Sequence, residues 1–324
     1  MRAAWYAEQG SARDVLRIGE LPDPKPGAGE VRIQIAASGI NPGDLKKRQN
    51  AFGYGMPYPR VIPHSDGAGV IDVVGADVPR DMIGQRVWCF GAQSYRPFGT
   101  AAEFTVVPLS QAVPLSDHVS FDQGACLGIP GITAHRCVHV AGNVQGRIVL
   151  VQGGAGAVGL CAVQLARQAG ALVIATVRAK TDEPAVMAAG AHHVVLHGPH
   201  LVDHVRALAP DGVHHIVEVA FGSNIGADLE LLTVGGSIAT YATDVDHPAV
   251  PFWPLLFKNI RIDLLGSDDF TSEQKADAAR AINDALDSGW PGMPIADRFP
   301  LEDINVAHER LETTRPRGRF IVCP

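Results

Sequence analysis

No run of about 18 apolar residues occurs in the 324-residue chain, which excludes a membrane-spanning helix built that way. The opening MRAAWYAEQG lacks the apolar core of a secretory signal, so no signal peptide is expected. Cysteine is scarce: Cys89, Cys126, Cys137, Cys161 and Cys323 are odd in number and contain no C-x-x-C spacing. A cytoplasmic protein with reduced thiols is the expectation. There is no G-x-S-x-G elbow, and no cysteine sits in a nucleophile motif, which sets aside Ser-His-Asp and Cys-His chemistry. Only 19% of residues are charged and the net charge is −7, which argues against nucleic acid as the main partner. Internal repeats and low-complexity segments are also missing.

What is present is organised around Arg147 to Ala169. The apolar run Ile148-Val149-Leu150-Val151 has the composition of a parallel strand buried on both faces. Gly154-Ala155-Gly156-Ala157-Val158-Gly159 follows as G-x-G-x-x-G, and Val158, Ala162, Leu165 and Ala169 then recur at helical spacing. The first glycine suits a tight turn, the second the approach of a pyrophosphate, and the third close packing of helix on strand. The helix start offers free N–H groups and its positive dipole end to phosphates. A dinucleotide site is expected there.

With 46% apolar residues and this length, two domains with large cores are expected. Residues 1–110 read as short strands between Gly/Pro turns, as in the alternating Glu30–Ile35, and suggest a small β-barrel-like domain. Near Val119 the pattern changes. Ser120 is a plausible helix N-cap, one apolar helix is expected through Ala125–Ile129 and another through Thr133–Val140. From Ile148 to Gly266, six candidate strands alternate with helices, the pattern of a doubly wound parallel sheet. An amphipathic helix over Ser272–Ser288 leads into a tail of mixed character. The expected division is 1–121 for the β-barrel-like domain, 122–267 for the nucleotide domain and 268–324 for a segment returning to the first.

The chain resembles the zinc-independent quinone oxidoreductases, the zeta-crystallin-like group of the medium-chain dehydrogenase/reductase superfamily. The resemblance covers essentially the whole chain. It is carried by Ala37-Ser38-Gly39-Ile40-Asn41-Pro42-Gly43-Asp44, Pro63-His64-Ser65-Asp66-Gly67-Ala68-Gly69 and Gly84-Gln85-Arg86-Val87. Phe98–Phe104, Gly128–Ala134, the glycine loop, Ala307-His308-Glu309 and Gly318-Arg319 complete it. The resemblance implies an α/β protein: a GroES-like β-barrel-type catalytic domain plus a Rossmann doubly wound parallel sheet, with a cleft between them. It also implies a homodimer, paired through Arg261–Leu265 at the sheet edge.

Related alcohol dehydrogenases hold zinc with Cys and His ligands. Here Asn41 stands in the first Cys slot and Ser65 in the His slot, with His64 one position early. No cysteine lies between Cys89 and Cys126 to form a structural zinc lobe. His192-His193 and His214-His215 are adjacent pairs on strands, pointing to opposite faces. A metal-free enzyme is expected. At the second Rossmann strand no acid appears before Asp182, while Arg178 and Lys180 are placed to pair with a 2′-phosphate, so NADPH is favoured over NADH. The cofactor-binding candidates are Gly154, Gly156, Ala157, Val158, Gly159, Arg178 and Lys180. By resemblance or position after later strands, Thr133, His197, Tyr241, Gly266, Ser267 and Arg319 join them.

With no zinc to polarise a carbonyl, a quinone or an α,β-unsaturated carbonyl is the expected small-molecule acceptor. Asn41 can donate to its oxygen or merely structure the Asn-Pro-Gly turn. Asp44 is read first as a holder of that turn. Tyr54, in the loop Phe52–Pro59, is preferred over Tyr58 to stack on the substrate or donate a proton. Three other readings stay open: a reductase of enones or 2-enoyl thioesters, a non-catalytic NADPH-binding protein, and a zinc alcohol dehydrogenase.

Overall fold

Strand propensity and turn chemistry produce 15 strands in the computed structural model, which describes residues Met1–Pro324. They are β1 (Arg2–Trp5), β2 (Arg17–Glu20), β3 (Glu30–Gly39), β4 (Asp66–Val74), β5 (Arg86–Cys89), β6 (Phe104–Pro108) and β7 (Ala112–Pro114). Then come β8 (Ile148–Val151), β9 (Leu172–Val177), β10 (His193–Leu196), β11 (Val213–Glu218), β12 (Leu232–Thr240) and β13 (Arg261–Leu264). β14 (Ile295–Pro300) and β15 (Arg319–Cys323) close the chain. The strands divide between two units, Met1–Ile129 with Pro291–Pro324, and Pro130–Trp290.

The first unit is built on a seven-stranded sheet in the order β14-β15-β3-β4-β5-β7, with β6 also paired to β3. β3 shows why. Val31, Ile33 and Ile35 alternate inward with Ile71, Val87 and Val107, while Gln34 faces out. Each such apolar side chain contributes about 1.5–3 kcal/mol when fully buried. A second cluster, Ile40, Leu45, Ile62, Phe299, Ile304, Phe320 and Val322, ties the C-terminal segment to the N-terminal one. A β-carbon at Gly69 would overlap the Gln34 carbonyl, so this crossing of β4 on β3 admits only glycine.

The second unit holds six parallel strands in the order β10-β9-β8-β11-β12-β13, with β8 in the interior and Val149, Leu150 and Val151 buried. Counted from β8, this is the 3-2-1-4-5-6 order of a dinucleotide-binding sheet, whose ligand crevice opens where the winding reverses beside β8. The expectation of an α/β protein with a Rossmann-type parallel sheet therefore holds.

Two expectations are corrected. Phe121–His139 is one continuous helix with Pro130 inside it, where the sequence suggested two. Ala125, Leu127, Ile132, Ala134 and Val138 are buried along it, and that burial outweighs the roughly 3 kcal/mol cost of an interior proline. Ser120 does precede its start, accepting from the Gln123 N–H at 3.2 Å. The tail also divides differently. The Ser272–Asp287 helix lies in the second unit, its Ala278, Ala279 and Ile282 buried, and the chain rejoins the first unit only from Pro291. Ile282 fits against Gly131, where a β-carbon would leave no room for it.

Candidate functional site

In the second unit the glycine loop turns directly off β8. Gly153 lies at φ +66°, and its N–H donates to Thr176 Oγ1 at 2.9 Å while the Gly154 N–H reaches the Thr176 carbonyl at 2.7 Å. A β-carbon at Gly159 would overlap the Gly153 carbonyl, which is the close helix–strand approach the third glycine serves. Gly156 is the N-cap of the helix Ala157–Gln168 and supplies no capping side chain, so the N-terminal N–H groups of that helix stay open to an anion.

Beside this loop, Arg178 follows β9 and His197 follows β10. The His197 N–H donates to the Val177 carbonyl at 2.7 Å, which sets the two strand ends side by side, and Arg178, Lys180 and His197 are all exposed. Tyr241 follows β12, and Gly266 and Ser267 follow β13, at the same carboxyl edge of the sheet. Thr133 is buried on the helix Phe121–His139.

In the first unit a different group forms around Asn41, Asp66 and Arg319. Asn41 caps the helix Pro42–Arg48, with proline in the first turn where its missing N–H costs nothing. Asp44 reaches back to accept the Asn41 N–H at 2.7 Å, which is the turn-holding role read from the sequence. The Asn41 side chain is thereby left for other partners. Its Oδ1 accepts from Arg319 at 2.8 Å and its Nδ2 donates to Asp66 Oδ2 at 2.7 Å. A donor-only guanidinium on one side and a carboxyl on the other fix the orientation of the amide. Asp66 Oδ1 accepts from the Ile129 N–H at 2.8 Å. A β-carbon at Gly128 would overlap that same oxygen, so glycine is required there.

Burial pushes the Asp66 carboxyl up to about 7, against the lowering effects of the Asn41 hydrogen bond, Arg319 and the Ile129 N–H. Burial likewise raises the Cys126 thiol to about 11, with Arg319 working against it. The Arg319 Nε is buried without a partner. Sequence reasoning named Asn41, Asp44 and Arg319 but missed Asp66 as their hub; the available signal was a lone acid opening the otherwise apolar Gly67–Ile71. Tyr54 is exposed and stacked on Phe52 at 5.8 Å. Tyr58 donates to the Tyr95 carbonyl, and Arg315 and Arg317 are exposed.

Behind Asp66 runs a buried chain of hydrogen bonds whose direction is forced at both ends. Thr100 donates to the Asp66 carbonyl at 2.6 Å, so Ser38 must donate to Thr100 at 2.7 Å. His64 Nδ1 then donates to Ser38 at 2.8 Å, leaving its Nε2 to accept from His308 Nε2 at 2.9 Å. Arg48 Nε, a donor only, faces His308 Nδ1 at 3.4 Å. Both histidines are therefore neutral and of fixed tautomer. Burial and then the Arg319 charge hold His64 down at about 3, and burial and His64 hold His308 well below its usual value.

The unfolded chain takes up these protons below pH 6.5 and the folded one does not. The stability contributed by the pair is thus complete above pH 6.5 and is lost progressively as pH falls below it, for His64 down to about 3. His308→Gln keeps one donor and one acceptor in place but removes one titrating ring. Below pH 6.5, urea unfolding is expected to show a shallower loss of stability with falling pH than wild type, by at most about 1.4 kcal/mol per unit.

Comparison with known proteins bears on both units. The alcohol dehydrogenase GroES-like domain model matches residues 27–117 and the zinc-binding dehydrogenase model matches residues 157–283. Quinone oxidoreductase of Rattus norvegicus is 32% identical over 330 residues, covering 99% of this chain and 97% of its own. The chain belongs to the quinone oxidoreductases of the medium-chain dehydrogenase/reductase superfamily. Another quinone oxidoreductase, that of Homo sapiens, is 30% identical over 96% of this chain and 94% of its own. A mycobacterial protein solved in complex with NADPH superposes with a TM-score of 0.86 at 27% identity, covering all of both chains.

One matching family is described as zinc-binding, and the residues of this chain can be tested for it. No group of three or more His, Cys, Asp or Glu side chains is arranged to hold a metal ion. The Asn41 amide and Asp66 carboxyl are bound to each other, a guanidinium occupies the remaining Asn41 oxygen, and both His64 nitrogens are engaged. A site built around a fixed cation, with no thiolate and no free imidazole, does not fit zinc.

Proposed function

We propose that this protein is a zinc-independent, NADPH-dependent reductase of quinones and related α,β-unsaturated carbonyls. The observation that carries the reading is the placement of Arg178, Lys180 and His197 at neighbouring strand ends beside the glycine loop, with no acid on β9 to receive a ribose 2′-hydroxyl. The mycobacterial neighbour that binds NADPH supports the same cofactor. Gly154, Gly156, Ala157, Val158 and Gly159 would hold its diphosphate, Arg178, Lys180 and His197 its 2′-phosphate, and Thr133, Tyr241, Gly266 and Ser267 flank the remainder. When bound, the cofactor supplies a hydride. Asn41 gives one Nδ2 hydrogen to Asp66 and retains a second for the oxygen of an acceptor, while Arg319 holds the amide in that pose and adds positive charge nearby. Tyr54, exposed on a glycine- and proline-rich loop, is the residue assigned to stack on the acceptor or donate a proton.

The test is steady-state oxidation of NADPH and NADH with 1,4-benzoquinone, 9,10-phenanthrenequinone and an enone after chelator treatment. Turnover that prefers NADPH and survives chelation is the expected result. Turnover restored only by zinc would overturn the reading, and activity confined to 2-enoyl thioesters would move the substrate class.

The reading includes a cytoplasmic homodimer. β13 is a sheet edge, and Leu264 on it is exposed together with Phe252, Trp253 and Phe257 of the helix Phe252–Phe257. An unpaired edge bordered by large apolar side chains is an association surface. Sedimentation is expected to give a dimer for wild type and a monomer for the Phe257→Glu, Leu264→Lys double variant.

A further inference from the structure

Beneath the glycine loop, in the second unit, lie two acids that the proposed chemistry does not use. Glu218 ends β11 and Asp228 lies on the helix Phe221–Leu231; both are 0% exposed. Burial and the neighbouring Glu218 raise the Asp228 carboxyl well above its ordinary value, with the Gln152 hydrogen bond working against them. On the helix, Asn224, which donates to Glu218, lies one turn before Asp228. Two adjacent carboxylates cannot both stay ionised in such a place.

The hydrogen bonds say which one holds the proton. Glu218 accepts from the Ala220 N–H and from Asn224 Nδ2, at 3.0 Å to Oε1 and 3.2 Å to Oε2, so donors converge on its ionised form. Asp228 Oδ1 accepts from Gln152 Nε2 at 2.9 Å, while Asp228 Oδ2 is buried with no donor at all. An acceptor without a donor beside an ionised carboxylate is resolved by one proton on Asp228 Oδ2, given to Glu218.

From Asp228 the chain continues to the loop. Gln152 Oε1 accepts from Thr176 Oγ1 at 2.8 Å, and Thr176 Oγ1 in turn accepts the Gly153 N–H at 2.9 Å. The direction is set from the Asp228 end: Oδ1 can only accept, so the Gln152 amide nitrogen points to it, and Gln152 Oε1 is left to accept the Thr176 hydroxyl, whose lone pair takes the Gly153 N–H. Gly153 opens the turn at φ +66°.

We propose that Glu218 and Asp228 form a single-proton acid pair that positions the glycine loop through Gln152 and Thr176, and thereby sets the affinity for the dinucleotide. They are positioning residues and touch no reacting atom. The role toward the cofactor rests on the nicotinamide reading of the loop; the shared proton and the hold on Gly153 do not.

The experiment uses the full-length protein without and with NADPH. Near pH 9, where Asp66 is ionised, the infrared C=O stretch of a protonated carboxyl is expected in wild type and absent in Asp228→Asn. Asp228→Asn accepts from Gln152 and donates to Glu218 as the protonated acid does. It is expected to keep slow Gly153 amide exchange and an NADPH Kd within about twofold of wild type. Asp228→Ala is expected to speed that exchange and raise the Kd by about tenfold, with kcat at saturating NADPH little changed.

Absence of the infrared band in wild type would overturn the proposal. So would Gly153 exchange in Asp228→Ala equal to wild type, or Asp228→Asn as disturbed as Asp228→Ala. A wild type that binds neither NADPH nor NADH would reject the cofactor reading instead, and the band and the exchange rate, read without cofactor, would still decide the acid pair.

Discussion

Replacing Arg178 and Lys180 together by alanine is expected to weaken NADPH by about 10- to 100-fold while leaving NADH within about twofold, because each charge-assisted contact to a phosphate contributes about 1.5–3 kcal/mol and the exposed setting reduces it. The selectivity of the loss matters more than its size. Both side chains stand at a strand end, clear of the β9 hydrogen bonds, so their removal leaves the fold intact. Fluorescence titration with the two cofactors measures the ratio directly. The loss should also shrink with added salt, as an exposed cation–phosphate contact does. Equal weakening of both cofactors would show that these residues stabilise the loop rather than read the 2′-phosphate.

Asp66→Ala is expected to destabilise the first unit by about 2–5 kcal/mol at pH 5, because it leaves the Asn41 amide and the Ile129 N–H without their buried acceptor. Asp66→Asn separates hydrogen bonding from charge. Its one oxygen cannot serve both donors, so an amide hydrogen is forced against Asn41 Nδ2 or Ile129 N–H, at a cost of about 1–3 kcal/mol. The carboxyl is raised to about 7 in the folded chain, so its contribution to stability is complete below its unfolded value of 3.8 and is lost as pH rises through 7. The deficit of Asp66→Asn against wild type should therefore shrink by roughly 1.4 kcal/mol per pH unit between pH 5 and 7. Urea unfolding at three pH values checks it. A deficit that stays constant would mean that Asp66 is ionised throughout.

The nucleotide-binding half of the molecule was legible because its signals are local. A buried-type apolar run, three glycines and a helical stripe lie within residues 147–169, and strand ends follow from the alternation downstream. Asn41, Asp66 and Arg319 were harder. They come from three places in the chain, 25 and 253 residues apart, and only the pairing of β15 with β3 and of β3 with β4 brings them together. Pro130 misled for the opposite reason: its local preference for a break is real, but the buried face on either side of it is stronger. Glu218 and Asp228 carry no sequence signal of burial, since an acid ten residues further into a helical segment reads as solvated surface.

The one-way order of the chain from Arg48 through His308, His64, Ser38 and Thr100 to the Asp66 carbonyl bears on how this region can vary in descent. Each member needs one donor and one acceptor aimed in the same sense. Ser38→Thr or Thr100→Ser preserves that sense and is expected to pass. Ser38→Ala leaves His64 with a buried N–H and deprives Thr100 of its donor, so it becomes tolerable only after neighbours have also turned apolar. Residues as distant in sequence as 38 and 308 therefore share one vocabulary, and drift at any of them must wait on the others.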